Sequence, residues 1–205
     1  MEQILLGFEL DISKYELKDI FFWLLIISFI NLTVGIYIGR NQAVNSWFNL
    51  IRYKKLSKWW YRQCRNVFLL NLIFVLAIFC VYFAVKGIID ENSSENFSVY
   101  QYLEMFSILI TNLALMGYVQ LIMINTRRGE KLSFFIITAT QMISLYGKIM
   151  FQSNISVWLP GSLMMYRRSG LYIASGFYFP AALAVQTISV IMICLFGHKL
   201  IKGRM

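Results

Sequence analysis

"IFFWLLIISFINLTVGIYIG", Ile20–Gly39, runs twenty residues without a charged side chain. Wound as a helix rising 1.5 Å per residue, it is about 30 Å long, the thickness of a bilayer's hydrocarbon core. Its apolar residues come as one block rather than alternating, so it is a helical span and not a strand of a membrane barrel. The rest of the chain repeats this pattern. Of 205 residues 59% are hydrophobic and 14% charged, with a mean hydropathy of +0.62. A soluble domain would carry about 25% charged residues. Further apolar runs occupy about Val67–Ile89, Tyr102–Ile124, Ser133–Met150 (short and more polar) and Phe177–Phe196. The composition therefore predicts an all-α polytopic membrane protein with five transmembrane helices, one membrane domain covering the chain.

Between the fourth and last runs lies "WLPGSLMMYRRSGLYIASGFYF". It is apolar enough to enter a membrane, yet Pro160, Gly161, Gly170 and Gly176 punctuate it and Arg167 and Arg168 sit in its middle. Glycine and proline break helices. The expectation over 157–176 is a re-entrant or interfacial helical hairpin, buried in protein or lining a wet cavity.

Charge sets the orientation. Arg40, Arg52, Lys54, Lys55, Lys58, Arg62 and Arg65 lie between the first two runs with no acid among them. Arg127, Arg128 and Lys131 against Glu130 lie between the third and fourth, and Lys199, Lys202 and Arg204 follow the last. Positive loops stay in the cytoplasm. Asp90–Asn96, with three acids and no base, and the mostly acidic tail 1–19 belong outside. The expected topology is N-out and C-in, with the re-entrant element facing out. The tail lacks the basic region and cleavage site of a signal peptide.

Chemical motifs are scarce. The chain has no G-x-x-x-x-G-K-[ST] phosphate loop. His198 is its one histidine, beside Lys199, with no partners for a zinc site or a nucleophilic triad. Cys64, Cys80 and Cys194 read as small apolar filler. No aspartate lies inside a run, and Glu104 sits at the outer start of the third, where it reads as a wet helix-end carboxylate. An ion-coupled mechanism therefore lacks its usual intramembrane carboxylate. The expectation is a chain that is not an enzyme, with no cofactor or metal of its own. Uncharged polar residues do occur in the spans, among them Asn31, Asn112, Gln120, Gln141, Ser144 and Gln186. They bond between helices or line a path or subunit seam.

The most basic stretch is "NLIRYKKLSKWWYRQCRNV", Asn49–Val67. Just before it Val44, Trp47, Phe48 and Ile51 form an apolar stripe, with Asn45, Asn49 and Arg52 off it, predicting a short amphipathic helix at the cytoplasmic surface. "YKKLS" reads as a turn, with Ser57 as N-cap of the next helix. Trp59, Trp60 and Tyr61 read as headgroup-level aromatics, and the bases as contacts for anionic lipid. The bilayer explains both the charge and the aromatics, so nucleic acid is not an expected partner.

This stretch on into "FLLNL", and "WLPGSLMMYRRSGLYIASGFYFPAALAVQTISVIMICLFGHKLIKGRM", resemble the type-2, exporter-type permease subunits of ABC transporters. The similarity is to the short bacterial members of bacteriocin or antimicrobial-peptide export and immunity systems. It runs from about residue 20 onward. It implies a bacterial cytoplasmic-membrane permease that couples a separate ABC ATPase, which binds the ATP and magnesium, to export or clearance of an amphipathic peptide or lipid-like substrate. A second permease subunit, the same chain or another, would complete the path. Ile51, Arg52, Tyr53, Lys54, Lys55, Leu56, Ser57, Trp59 and Trp60 would then bear on the ATPase. Trp158, Pro160, Gly161, Arg167, Arg168 and Gly170 would gate the outer side. The family has six spans and this chain shows five, the first being absent, since "ILLGFEL" is too short to supply it. The alternative reading is a non-transporting immunity or sensor protein that binds a peptide or partner in the bilayer.

Overall fold

A computed structural model describes residues 16–53, 56–89, 98–146, 158–171 and 176–202. It is all-α: α1 Leu17–Tyr53, α2 Leu56–Ile89, α3 Val99–Met123, α4 Glu130–Leu145 and α5 Phe179–Lys202. Among the described residues there is no sheet, only one isolated parallel bridge, Ser169 to Phe177. Four helices are long and apolar enough to cross a membrane, namely α1, α2, α3 and α5, which makes this a multi-pass membrane protein. Of the expected fourth span, 133–150, residues 133–145 lie in helix α4 and 147–150 lie outside the described residues. Helix α4 has 16 residues, about 24 Å at 1.5 Å each, short of the hydrocarbon thickness.

Side-chain contacts fix the helix directions. Phe29 meets Phe74 edge-on and Asn66 donates to the Tyr37 hydroxyl, so α1 and α2 are antiparallel. Asn71 donates to the Leu113 carbonyl and Tyr82 packs on Tyr102, so α2 and α3 are antiparallel as well. At its far end α5 meets the start of α2, where the Trp60 indole donates to the carbonyls of Cys194 (2.9 Å) and Ile193 (3.3 Å). The bundle thus has a basic end, where α1 finishes, α2 starts and α5 finishes. Its other end is where α1 starts, α2 finishes and α3 starts, with Glu16, Asp19 and Glu104. The start of α1 and the finish of α5 lie at opposite ends although only four helices are long. The return between α3 and α5 is made by α4 and the segment after it.

Three local features follow from sequence. A capping box starts α3: the Ser98 hydroxyl accepts from the Gln101 N–H, and the Gln101 side chain accepts from the Ser98 N–H. These bonds occupy two orphan donors of the first turn. Helix α3 ends in a π-helical turn, Ile124–Arg128, and Gly129 at φ 75° then reverses the chain into α4, a conformation glycine adopts without a Cβ clash. Helix α1 does not stop at the membrane surface. It runs unbroken to Tyr53, 37 residues or about 56 Å, so the separate amphipathic helix expected within 43–60 is not seen. Residues 40–53 contain no proline or glycine, and nothing in them ends a helix. Helix α2 already begins at Leu56, which places Ser57 inside its first turn rather than at the N-cap.

Helix phase decides which aromatics at the basic end are inside. Trp60, Cys64, Val67, Asn71 and Val75 step along α2 by four, three, four and four, and all are buried. Trp59 and Trp60 are 5% and 0% exposed, so they are core residues and not headgroup aromatics; Tyr61, one step further, is exposed. Gly197 on α5 lets the Trp60 ring lie against the α5 backbone, since a Cβ there would come within 2.8 Å of the indole. All three cysteines are free thiols, Cys64 buried and Cys80 exposed.

Candidate functional site

The segment between α4 and α5 is the least regular and most enclosed part of the described chain. Residues 161–169 are all buried. Instead of the expected helical hairpin they form two single 3-10 turns, Ser162–Met164 and Tyr166–Arg168. Each turn is closed by short-range bonds, Met165 N–H to the Ser162 carbonyl and Ser169 N–H to the Tyr166 carbonyl. Non-helical backbone at this depth needs protein partners for its remaining polar groups, and three helices supply them.

From α3, the Asn112 amide donates to the Pro160 carbonyl at 2.7 Å. Asn112 is the fourteenth residue of the 28-residue apolar stretch Val99–Thr126, so the segment descends to the middle of the bundle. Also from α3, the Glu104 carboxylate accepts from the Tyr166 hydroxyl at 2.8 Å. That carboxylate is therefore a tether for the segment, not simply a wet helix end. From α5, Gln186 uses both ends of its amide: Oε1 accepts from Thr111 and Nε2 donates to the Leu163 carbonyl.

Helix α4 supplies the closest contacts. It ends inside the bundle, and the last carbonyls of any helix lack partners within it. Arg168, 1% exposed, provides them. Its Nη1 donates to the Ser144 carbonyl and to Ser162 Oγ, both at 2.7 Å, and Nη2 donates to the Leu145 carbonyl at 3.1 Å. A guanidinium is well matched here: it is planar, carries several donors, and sits at the negative end of the helix dipole. Ser144 Oγ accepts from the Gly161 N–H, and Ser162 Oγ donates to the Ser144 carbonyl. Gly161 touches the Gln141 amide, and a Cβ on it would lie 2.7 Å from Ser144 Cβ. Gly161→Ala is therefore expected to destabilise by about 1–3 kcal/mol through overpacking. Thermal unfolding in detergent checks this, and an unchanged midpoint would contradict the close seating.

The sequence candidates sort clearly. Asn112, Gln141, Ser144 and Gln186 converge on this segment together with Pro160, Gly161 and Arg168. Arg167 is 9% exposed, while Trp158, Pro160 and Gly170 are exposed. Gln120 lies elsewhere, against Gly35 of α1. Both side-chain polar atoms of Gln120 and of Gln141, and Asn112 Oδ1, are buried with no hydrogen-bond partner among the described residues. Lys54 and Lys55 lie outside the described residues, as do the tail 1–15 and the loop 90–97. Of Ile51, Arg52 and Tyr53 only the helical backbone is described; Leu56 and Ser57 are half-buried. Sequence reading did not pair Glu104 with Tyr166, or Arg168 with α4, because main-chain acceptors and long-range tethers leave no local spacing signal. Among the described residues no group of three His, Cys, Asp or Glu is placed to hold a metal.

Comparison of the chain with protein-family models, with curated proteins and with solved structures finds no match.

Proposed function

We propose that the chain is the membrane-spanning permease subunit of an ABC transporter, moving an amphipathic peptide or lipid-like substrate. It sits in a bacterial cytoplasmic membrane with its basic end inside and its acidic end outside. The observation that carries the reading is the buried segment around Pro160–Ser169, seated on the truncated end of α4. A folded non-helical segment reaching mid-bundle from one side is a plug. Asn112 Oδ1 and both polar atoms of the Gln141 amide, partnerless among the described residues, are polar surface around its seat that its withdrawal would open to water. The positive-inside pattern supports the orientation, and the long α1 supports a handle, since its last residues extend beyond the bilayer core. A separate ATPase binds ATP and magnesium and works against this handle, around Ile51–Leu56, rather than against the buried Trp59 and Trp60. A second permease subunit completes the path.

The test is affinity purification of the tagged full chain in mild detergent from its own host. An ATPase subunit is expected to copurify, and reversing the charge at Lys54 and Lys55 to glutamate is expected to weaken that association at least about tenfold, about 1.4 kcal/mol. Absence of an ATPase, together with intact cellular function of the charge-reversed variant, would overturn the transporter reading in favour of a non-transporting immunity or sensor protein.

A further inference from the structure

At the basic end the exposed face of α2 carries Lys58, Arg62 and Arg65, spaced by four and three, with Tyr61 beside Arg62. These four side chains line a pocket of about 380 Å³. The charge around it is one-sided. Residues 20–89 contain no aspartate or glutamate, and neither do residues 131–205. Glu130, at the start of α4, is the one acid whose place in the sequence puts it at this end of the bundle. The nearest described part of α5 adds His198, whose ring lies 6.4 Å from that of Tyr61, and the exposed Lys199.

Directly along the same face, Arg65 is followed by Leu69, Ile73 and Leu76, at steps of four, four and three. These are large apolar residues, 46%, 62% and 47% exposed. A cationic pocket at the membrane surface thus stands at the head of an apolar stripe that runs into the hydrocarbon. We infer that this face is a binding site for an anionic phospholipid of the cytoplasmic leaflet, its phosphate held in the Lys58, Tyr61, Arg62 and Arg65 pocket and its acyl chains lying along Leu69, Ile73 and Leu76. Two guanidinium groups and an ammonium within two turns match a phosphate's several acceptor oxygens, and arginine takes such oxygens in pairs. The apolar stripe selects a lipid over a soluble anion or an acidic protein, because neither of those reaches below the headgroups. The site does not depend on the transporter reading, and it needs no ATPase to be measured.

The experiment is a titration of the purified full-length chain in neutral detergent, followed by native mass spectrometry. Phosphatidylglycerol is compared with phosphatidylcholine of the same acyl length. Phosphatidylglycerol is expected to bind more tightly, and the triple variant K58Q/R62Q/R65Q to weaken it by about 100-fold, at about fivefold per basic residue. Arg65→Gln alone, at an exposed position, is expected to weaken it about fivefold, so the inference stands or falls even if the triple variant does not fold. The basic set of the α3–α4 turn, R127Q/R128Q/K131Q, with the same loss of charge, is expected to bind as the parent does.

Equal binding of the two lipids would overturn the inference. So would an unaffected Arg65→Gln, or an equal loss in the α3–α4 turn set, which would reduce the effect to net charge. Complete displacement by inorganic phosphate would mean a site for the free anion. Loss of an acidic partner protein, with lipid binding intact in the triple variant, would mean a protein-docking surface.

Discussion

Replacing Arg168 with methionine is expected to destabilise the bundle by about 3–5 kcal/mol, since it removes three hydrogen bonds from a charged donor, each about 1.5–3 kcal/mol alone and not additive. Methionine fills a similar space but donates no hydrogen bond. The carbonyls of Ser144 and Leu145 and the Ser162 hydroxyl would lose their guanidinium partner together. For a chain of this size about 3–5 kcal/mol corresponds to a fall of about 6–20 °C in the unfolding midpoint. Arg168→Lys should fall between, since one ammonium cannot span both carbonyls with a planar fork. Hydrogen exchange localises the effect: the last turn of α4 should lose protection before the α2–α5 contact does. A midpoint within about 2 °C of the parent would show that Arg168 does not hold the segment down.

The second large effect is expected at Trp60. Its side chain is fully buried, donates to two α5 carbonyls, and lies against Gly197. Trp60→Ala should cost about 3–5 kcal/mol through the cavity and lost contacts. Within lipid, helix association rests on such close packing and on hydrogen bonds, not on a hydrophobic drive between helices. Trp60→Phe keeps most of the volume and removes the indole N–H, so about 1 kcal/mol should be lost from the bond itself. Trp158, 46% exposed, is the reference; its alanine variant should stay within about 0.5 kcal/mol. Thermal unfolding of the four proteins in one detergent gives the ranking, and equal losses at Trp60 and Trp158 would contradict it.

The long apolar runs were legible because length and charge exclusion alone define a helix that crosses lipid. Ile20–Gly39 lies inside α1, and Phe177–Phe196 lies within two residues of α5 at its start. Helix phase was legible too, but it was not applied to Trp59 and Trp60. Their type suggested the headgroups, whereas the stripe Trp60, Cys64, Val67 and Asn71 in the sequence already marked the inward face. The extent of α1 was harder to see. An amphipathic stripe at 44–51 looks the same whether the helix lies on a membrane or continues out of it, and only the lack of a breaker favours continuation. The seat of the segment between α4 and α5 was half legible. The glycines, the proline and the arginine pair announced broken backbone, and Asn112, Gln141, Ser144 and Gln186 stood out as polar residues in apolar helices. What Asn112, Gln186 and Arg168 bond to is main-chain carbonyls, which every residue has and no sequence distinguishes.

The dependence of α4 on Arg168 also bears on how the chain is made. Helix α4 leaves the ribosome before Arg168 and is too short to lie stably across lipid by itself. The guanidinium that closes its end arrives 23 residues after Leu145, ahead of α5. Until then its final carbonyls would face hydrocarbon at a cost of several kcal/mol each. The insertion machinery would therefore hold α4 back until α5 emerges and release the two as one unit. A nascent chain truncated before residue 168 should leave α4 accessible to water-soluble reagents, whereas the complete α1–α2 hairpin is already integrated.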